Sequence, residues 1–511
     1  MKVFNFRPLF IIFISLIIGI FLSMNYFMSG NYNFYILVLL IFVFSLIAIF
    51  ITKMKWENLK NSKLCIASIL VVLSLLISFG YTSLKFNKLD EIKYYGDYVS
   101  ITGRVNSITQ GDNYTSLQLG DISIYCGGVK EETNYNILVY MQDYEPNSLQ
   151  KGSLVTFECL LEKVNVFKND EPNSKLLNKN IAYTTYVNYA DILSSFGEMN
   201  IFEKISSYGY DILSNTFQDE EFGVCIAVLF GDSTYLESDS YDLFKNSGVA
   251  HILAVSGLHI TMLGYIIWLI VDKLKISVSI KFGILIAFLT FYCALCSFTS
   301  SVVRASIMFV CLMLGKKFGE RNDLLSSLSL AGIIILLINP FSLFSKSFIL
   351  SFGSVFGIAV VFPYVERALL KINLPSFLAS AIAITISTTL ATLPFALWFF
   401  GSIPVMTILA NVVVLPLFTI FYYLLVITSL LSFALNFLSF LLFLPKVVLS
   451  LIMVLVKFFS SYGLITLSAM SFSNALSYEI SLFMTSDYVL INKKYKLIFA
   501  ILVVSIIAMC V

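Results

Sequence analysis

The sequence predicts a polytopic α-helical membrane protein of about 11–12 spans, some broken or re-entrant, with an inserted extracellular small β-barrel of OB-like type. Three observations predict it. Hydrophobic residues make up 58% of the 511 and charged residues only 13%, with 47 Phe; an ordinary soluble domain carries about 25% charge. Apolar runs of roughly the ~20 residues that a bilayer requires recur along the chain. One long stretch breaks that pattern and reads as acidic and β-rich. A net charge of +2 and low charge density exclude disordered and nucleic-acid-coating classes.

The elements follow in order. Residues 1–84 hold three apolar runs, Pro8 to Met28, Phe34 to Thr52 and Leu64 to Leu84. The first is not a cleaved signal, because no small-x-small site follows it. Lys2 and Arg7 precede the first run, and Lys53, Lys55, Lys60 and Lys63 lie between the second and third. The loop 29–33 has no cation, so the positive-inside rule puts the N-terminus in the cytoplasm. The third span then delivers residues 85–200 outside the cell. That domain has 10 cations and 15 anions, a net −5. Its runs Asp97–Ile108, Tyr114–Gly120, Ile122–Cys126, Ile137–Gln142, Ser153–Val164 and Ile181–Tyr189 alternate or are β-branched. Gly111-Asp112-Asn113 and Gly127-Gly128 supply turns between them. A sandwich fragment would read similarly.

Residues 201–249 return to helical pattern. Ile201 to Phe217 is amphipathic, and Phe222 to Phe230 is too short to span, hence interfacial or buried. Residues 250–511 form the second membrane domain, with apolar runs from Ala250–Val271 to Leu497–Val511. Cations at 273, 275, 281, at 316, 317, 321, at 367, 371 and at 493, 494, 496 mark cytoplasmic loops and leave the C-terminus outside. Pro363, Pro394, Pro404, Pro416 and Pro445 interrupt the runs, and broken helices survive at membrane depth only inside protein or beside water.

Few polar side chains remain to carry chemistry. The only two His, His251 and His259, flank Ser256-Gly257. On one helix at 100° per residue, His251, Val255, His259 and Ser256 would share a face. That face reads as the polar wall of a pore, as a Ser256–His259 pair for nucleophilic catalysis, or as a hydrogen-bonded helix start. Arg304, in an otherwise apolar segment, fits a phosphate contact or a structural ion pair with Asp232 or Asp242. Asn411 lies before Pro416 and reads as support for an unwound helix. Asn322-Asp323 and Asn339-Pro340 read as a helix cap and a stop. Lys346, Lys446 and Lys457 read as snorkelling cations. Cys126 and Cys159 alone fall in the outer domain, where a disulfide is expected over two free thiols. Cys293 and Cys296 lie inside a span and form no credible zinc or redox motif.

Some chemistries are excluded. The chain has no Gly-x-x-x-x-Gly-Lys-Ser/Thr, so it carries no P-loop motor. Two His cannot build a metallo-β-lactamase centre, and no metal or cofactor is expected.

The stretch Phe230-Gly231-Asp232, then Gly248-Val-Ala-His251 through Ser256-Gly257-Leu-His259, resembles the ComEC family of bacterial DNA-uptake channels. Further blocks match in order. They are Ser301-Val-Val-Arg304-Ala305-Ser306, Asp323 to Asn339-Pro340 with Phe348-Ile-Leu350-Ser351-Phe352, Thr392-Leu-Pro394 with Phe400-Gly401, and Ala410-Asn411 with Pro416. The resemblance covers roughly residues 1 to 500. Glu171-Pro172-Asn173 departs from the family's usual Asn-Pro-Gly. The resemblance implies a channel that takes single-stranded DNA inward across the plasma membrane of a bacterium. It implies a separate cytoplasmic ATP-driven helicase or translocase, a DNA receptor, a separate nuclease and a homodimer as partners. It also implies a form without the C-terminal metallo-β-lactamase-like domain that many members carry, natural or from a split gene. On that reading His251, Ser256, Gly257 and His259 line the path entrance, Arg304 contacts phosphate and Asn411 supports a helix break. Gly231, Asp232, Asp323, Pro340, Pro394 and Pro416 are structural. The alternatives are an intramembrane serine hydrolase or a transporter of another polyanion.

Overall fold

A computed structural model describes residues 7–29, 62–90, 96–110, 114–133, 135–142, 149, 152–164, 167–168, 171–188, 191–195, 200–317, 323–467, 470–489 and 492–508. They fall into two compact units. One comprises Phe6–Glu198 with Leu325–Phe348; the other comprises Met199–Leu324 with Ile349–Val511.

The first unit begins with α1 (Pro8–Ser29) and α2 (Ser62–Asp90). Small residues at every fourth position let the two helices approach closely. Ser15 bonds Ser74, Ser23 bonds Ser83 at 3.0 Å, and between them Gly19 lies against Ser78, where a Cβ would overlap the hydroxyl. Lipid gives helices no hydrophobic reason to associate, so small-residue packing and interhelical hydrogen bonds hold such pairs. Partner numbers rise together along both helices, so α1 and α2 run parallel. The expected span Phe34–Thr52 and the loop 29–33 lie largely outside the described residues.

A barrel follows. Its strands are β1 (Tyr98–Gln110), β2 (Thr115–Cys126), β3 (Val129–Thr133), β4 (Asn136–Gln142), β5 (Leu154–Leu160) and β6 (Glu162–Lys163). Then come the ribbon β7 (Phe167–Lys168) with β8 (Glu171–Pro172), the short helix α3 (Ser174–Asn178), β9 (Ile181–Asn188) and β10 (Leu193–Ser195). The order is β10-β5-β1-β2-β4-β9-β6, with only the β4–β9 pair parallel. β5 and β6 are one strand interrupted at Leu161. Its first part pairs with β1 and its second with β9, so the sheet closes on itself. Alternation follows closure: in β4, Ile137, Val139 and Met141 are fully buried while Leu138 and Tyr140 face outward. The two runs expected either side of Asp121 form a single β2, with Asp121 at φ 48° absorbing the irregularity.

The expected disulfide is not formed. Cys126 and Cys159 are free thiols. β2 and β5 lie on opposite sides of β1, where Val99 is opposite Cys159 and Ser100 is opposite Tyr125. Two strand spacings, roughly 9–10 Å, separate the cysteines, beyond the ~7 Å limit of Cα separation for a disulfide.

Helix Leu324–Ile338 and the 3-10 turn Pro340–Phe344 complete this unit. Asn339 ends the helix as expected, and its side chain accepts from Phe341 N (3.1 Å). It also donates to the carbonyl of Asn178 at 3.1 Å, and Ser342 donates to the Asn178 side chain at 2.9 Å. Phe341 packs edge-on to Phe86 at 4.9 Å and joins the barrel core. The Asn339-Pro340 block therefore anchors a turn to the barrel, although sequence order places it within the second membrane domain.

The second unit is helical. Its helices are α4 (Ile201–Ser214), α5 (Asp219–Phe230), α6 (Ser238–Ser247), α7 (Gly257–Asp272), α8 (Val278–Leu295) and α9 (Ser300–Lys317). Counting Leu324–Ile338 as α10, the rest are α11 (Lys346–Val360), α12 (Phe362–Lys371), α13 (Ser376–Phe400), α14 (Thr407–Ala434), α15 (Phe443–Ser460), α16 (Phe472–Thr485) and α17 (Lys493–Ala508). Between α13 and α16 a two-stranded ribbon joins β11 (Ser402–Pro404) to β12 (Leu464–Thr466). Among the described residues of both units, six helices are long and apolar enough to cross a membrane, or seven if the α11–α12 pair, bent by 49°, is one span. α7, α9 and α10 are shorter apolar helices. α5 is buried rather than interfacial: Val224 to Val228 are at most 1% exposed.

Proline acts differently from expectation. α13 runs through Pro394 and α14 through Pro416 without a break. The bend falls at Val361, where Pro363 stands in the first turn of α12, a position that needs no N–H.

Alkylation tests the barrel. Unreduced, denatured protein should take one label at each of Cys126 and Cys159, with no change after reductant. In the folded protein Cys126 should react first, because burial pushes the Cys159 thiol up to about 11 and the thiolate is the nucleophile. Mass mapping of the labels checks both outcomes.

Candidate functional site

The site is built where helix ends leave backbone groups without partners. α5 stops at Gly231, which takes the left-handed conformation at φ 69°. Asp232 then accepts from Tyr210 of α4 at 3.0 Å and from the Thr234 N–H at 3.0 Å, fixing the exit turn. The α5 carbonyl of Leu229, left over by the helix end, accepts from the Tyr292 hydroxyl of α8 at 2.9 Å. Tyr292 lies 3.4 Å from the hydroxyl of Tyr422 on α14. At Gly231 a side chain would meet Val255 at 3.5 Å and Cys296 at 3.6 Å. The Gly-Asp turn thus touches the stretch that holds the histidines.

That stretch is not one helix. Residues 250–252 form a 3-10 turn and α7 begins only at Gly257. The shared face expected for His251 and His259 does not form. His251 is exposed. Ala254 and Gly257 are exposed too. His259 is fully buried. Its Nδ1 accepts the Ser256 N–H at 3.0 Å and lies 3.0 Å from Ser256 Oγ. The third residue of the helix thereby reaches back to cap its start, the part that Glu plays in a capping box. Because Nδ1 accepts, the neutral ring carries its proton on Nε2. Nε2 is buried and has no hydrogen-bond partner among the described residues. The ring edges onto Tyr422 at 4.7 Å and Phe418 at 5.2 Å.

Arg304 sits on α9, 2% exposed. The two carboxylates considered as its partners are engaged: Asp232 as above, and Asp242 4.0 Å from Lys245. Two residues on, Ser306 Oγ approaches Cys293 Sγ of α8 at 3.4 Å. Asn411 is 7% exposed in the first turns of α14, on the stripe that carries Phe418 and Tyr422 toward His259. It lies within a continuous helix, so it supports no break, and its Oδ1 is buried without a partner among the described residues.

The structure therefore brings Gly231, Asp232, His251, Ser256, Gly257, His259, Arg304 and Asn411 into one unit. Pro340 belongs to the other, and Asp323 stands at the start of α10. Sequence reasoning missed Tyr292 and Tyr422, the two hydroxyls at the centre. A Tyr inside an apolar run was the available signal. It also missed Gly248, at φ 85°, where a Cβ would stand 2.5 Å from Thr407 Oγ1 and 2.9 Å from its Cα. That contact sets α14 beside the histidine stretch. Lys446 is no simple snorkel: it donates to the Thr216 carbonyl at 2.7 Å and lies 3.7 Å from Glu221. Among the described residues no three His, Cys, Asp or Glu could hold a metal ion.

Two glycines separate folding from function. Gly248→Ala should lower the thermal midpoint in detergent by several degrees, since it adds a left-handed penalty of about 1 kcal/mol and a clash. Gly257→Ala should leave that midpoint unchanged, because nothing lies within 4 Å of the added Cβ. A thermal scan of both variants checks this.

Residues 228–491, more than half of the chain, match the family model described as competence protein. The match begins within α5 and includes the Gly231–His259 region and Tyr292, Arg304 and Tyr422. ComE operon protein 3 of Bacillus subtilis (strain 168) is 28% identical over 200 residues, 39% of this chain and 25% of the relative. The alignment thus spans about a quarter of that protein. No solved structure matches the chain. The chain belongs to the competence protein family, the ComEC family that its ordered motif blocks resemble.

Proposed function

We propose that this chain forms a channel that carries single-stranded DNA inward across the plasma membrane during natural transformation. One observation carries the reading: the competence family match coincides with a cluster of buried polar side chains in an otherwise apolar helical unit. Intramembrane polar groups that face a bundle interior mark substrate paths. His251, Ser256 and Gly257 line the path entrance, and Arg304 serves as the phosphate contact. His259 and Asn411 stand behind that surface. The N-terminus is cytoplasmic, the barrel is extracellular and the C-terminus is outside. A separate ATP-driven translocase, a DNA receptor and a separate nuclease act with the channel, which works as a homodimer.

The barrel offers a receiving surface. Tyr114, Tyr140 and Tyr186 form a row across β2, β4 and β9, with ring centroids 5.2 Å apart at each step. Tyr114 and Tyr186 are 53% and 70% exposed. Their outward neighbours Ser116, Gln118, Leu138, Gln142, Thr184 and Asn188 are uncharged. An acidic domain repels phosphate, so a neutral aromatic face is where bases can stack at least cost.

The hydrolase reading finds less support in the geometry. His259 Nδ1 is occupied by a backbone N–H, and among the described residues no third group orients Nε2, whereas a catalytic base needs one nitrogen for the nucleophile and the other for an orienting partner.

Arg304→Ala and His259→Ala should each abolish transformation at normal protein level, measured with a genetic marker and an immunoblot; uptake intact in both would sink the path assignment. Replacing Tyr114, Tyr140 and Tyr186 by Ala should weaken single-stranded DNA binding by the full chain in nanodiscs about tenfold or more, at about 1–3 kcal/mol per stacked base. A fluorophosphonate probe should leave Ser256 unlabelled, and labelling would favour the hydrolase.

A further inference from the structure

Pro394 lacks an N–H, so the carbonyl of Leu390 four residues earlier loses its helical partner. The Tyr478 hydroxyl of α16 supplies one at 3.0 Å. The next residue, Glu479, has no such outlet. Both of its carboxylate oxygens are buried, and neither has a hydrogen-bond partner among the described residues.

Among the described residues the surrounding elements give it no charged hydrogen-bond partner. α16 packs against α13 and α17, and its buried side touches α11 and α12 through Phe356, Val360 and Val365. α13 contains no ionisable residue from Ser376 to Phe400. α17 has ionisable groups only in its first turn, Lys493, Lys494, Tyr495 and Lys496, and Lys496 donates to the Ser486 carbonyl. On α11 the only charge is Lys346, at the far end. On α12, Arg367 and Tyr364 bond Asp487, Glu366 accepts from Ser380 at 2.6 Å, and Lys371 closes the helix. On α16 the only other titratable group is Tyr478, already committed to Leu390.

A bare carboxylate is costly in such surroundings, while a carboxylic acid is tolerable. We propose that Glu479 is a proton-binding site of the helical unit: it holds a proton while α16 lies against α13, and releases it when α16 moves off and water enters. Release breaks the O–H bond, passes the proton to water and leaves the carboxylate. The charged form then opposes closure, so protonation and the Tyr478–Leu390 latch are coupled. The proposal does not depend on what the channel carries.

The test uses the full chain in lipid nanodiscs. Dicyclohexylcarbodiimide enters apolar sites and adds a carboxylic acid across its C=N bond. At pH 7 it should modify Glu479, seen as a mass adduct on the peptide, while a water-soluble carbodiimide should not. Amide exchange over 472–485, corrected for its intrinsic pH dependence, should lose protection tenfold or more as pH rises above neutral. In Glu479→Gln it should stay protected throughout. No adduct at Glu479 at pH 7 would overturn the proposal. Equal loss of protection in the native chain and in Glu479→Gln would overturn it too, as would an adduct that sodium abolishes and pH does not. Should the variant fail to insert, the adduct on the native chain decides alone.

Discussion

Away from water, a backbone carbonyl or amide that loses its partner costs several kcal/mol. The second unit places its interior polar groups under that constraint. The end of α5 leaves Leu229, answered by Tyr292. The start of α7 leaves the Ser256 amide, answered by His259. The end of α4 leaves Thr216, answered by Lys446. Pro394 leaves Leu390, answered by Tyr478. Each answer comes from the same element three residues on, or from an element far away in sequence, so each also fixes a packing relation. Tyr292 ties α8 to α5 and approaches α14, and the family's Gly-Asp turn is locked where it can touch Val255 and Cys296.

Helices held this way must also come close, and here the absence of a side chain decides. Gly248 admits Thr407, Gly264 admits the ring of Phe309, and Gly357 admits the backbone of Ser387. Apolar area cannot distinguish one helix pairing from another when the surroundings are equally apolar. A missing Cβ can, because it permits one approach and no other. Gly248 carries positive φ as well, so there conformation and space both require glycine, whereas at Gly231 the positive φ alone does.

The architecture was legible because its signals are strong and local. Apolar runs located the helices, and period-two alternation located five of the barrel strands, including the long Ser153–Val164 run that closes the sheet. The alternation of Ile137, Val139 and Met141 survives unchanged as burial. Less legible was anything set by a distant partner. The shared face of His251 and His259 assumed an unbroken helix, but the Gly248 turn and the 3-10 turn after it break that register before Gly257. The Cys126–Cys159 pairing assumed adjacency, and β1 intervenes between their strands. Asn411 was read through the local effect of Pro416, whereas α14 continues past it. Tyr292, Tyr422 and Tyr478 showed only as tyrosines inside apolar runs, because the hydroxyl's partner lies 63, 130 or 88 residues away.

These relations separate two kinds of polar residue that composition alone cannot. His259, Tyr292 and Tyr478 spend their hydrogen bonds on the protein's own backbone, and their burial follows from that duty. His251 makes no such bond among the described residues and is exposed, and Gly257 has empty space where a side chain would be. Structural necessity accounts for the first group. It does not account for a histidine kept at the surface of an apolar unit beside the only other histidine in 511 residues. On the proposed channel reading, a histidine that makes no hydrogen bond among the described residues and stands beside the Ser256-Gly257-Leu258-His259 string is the stronger candidate for contact with the cargo. On that reading the path runs on the exposed side of this turn, and the buried ring of His259 holds the turn in place from behind.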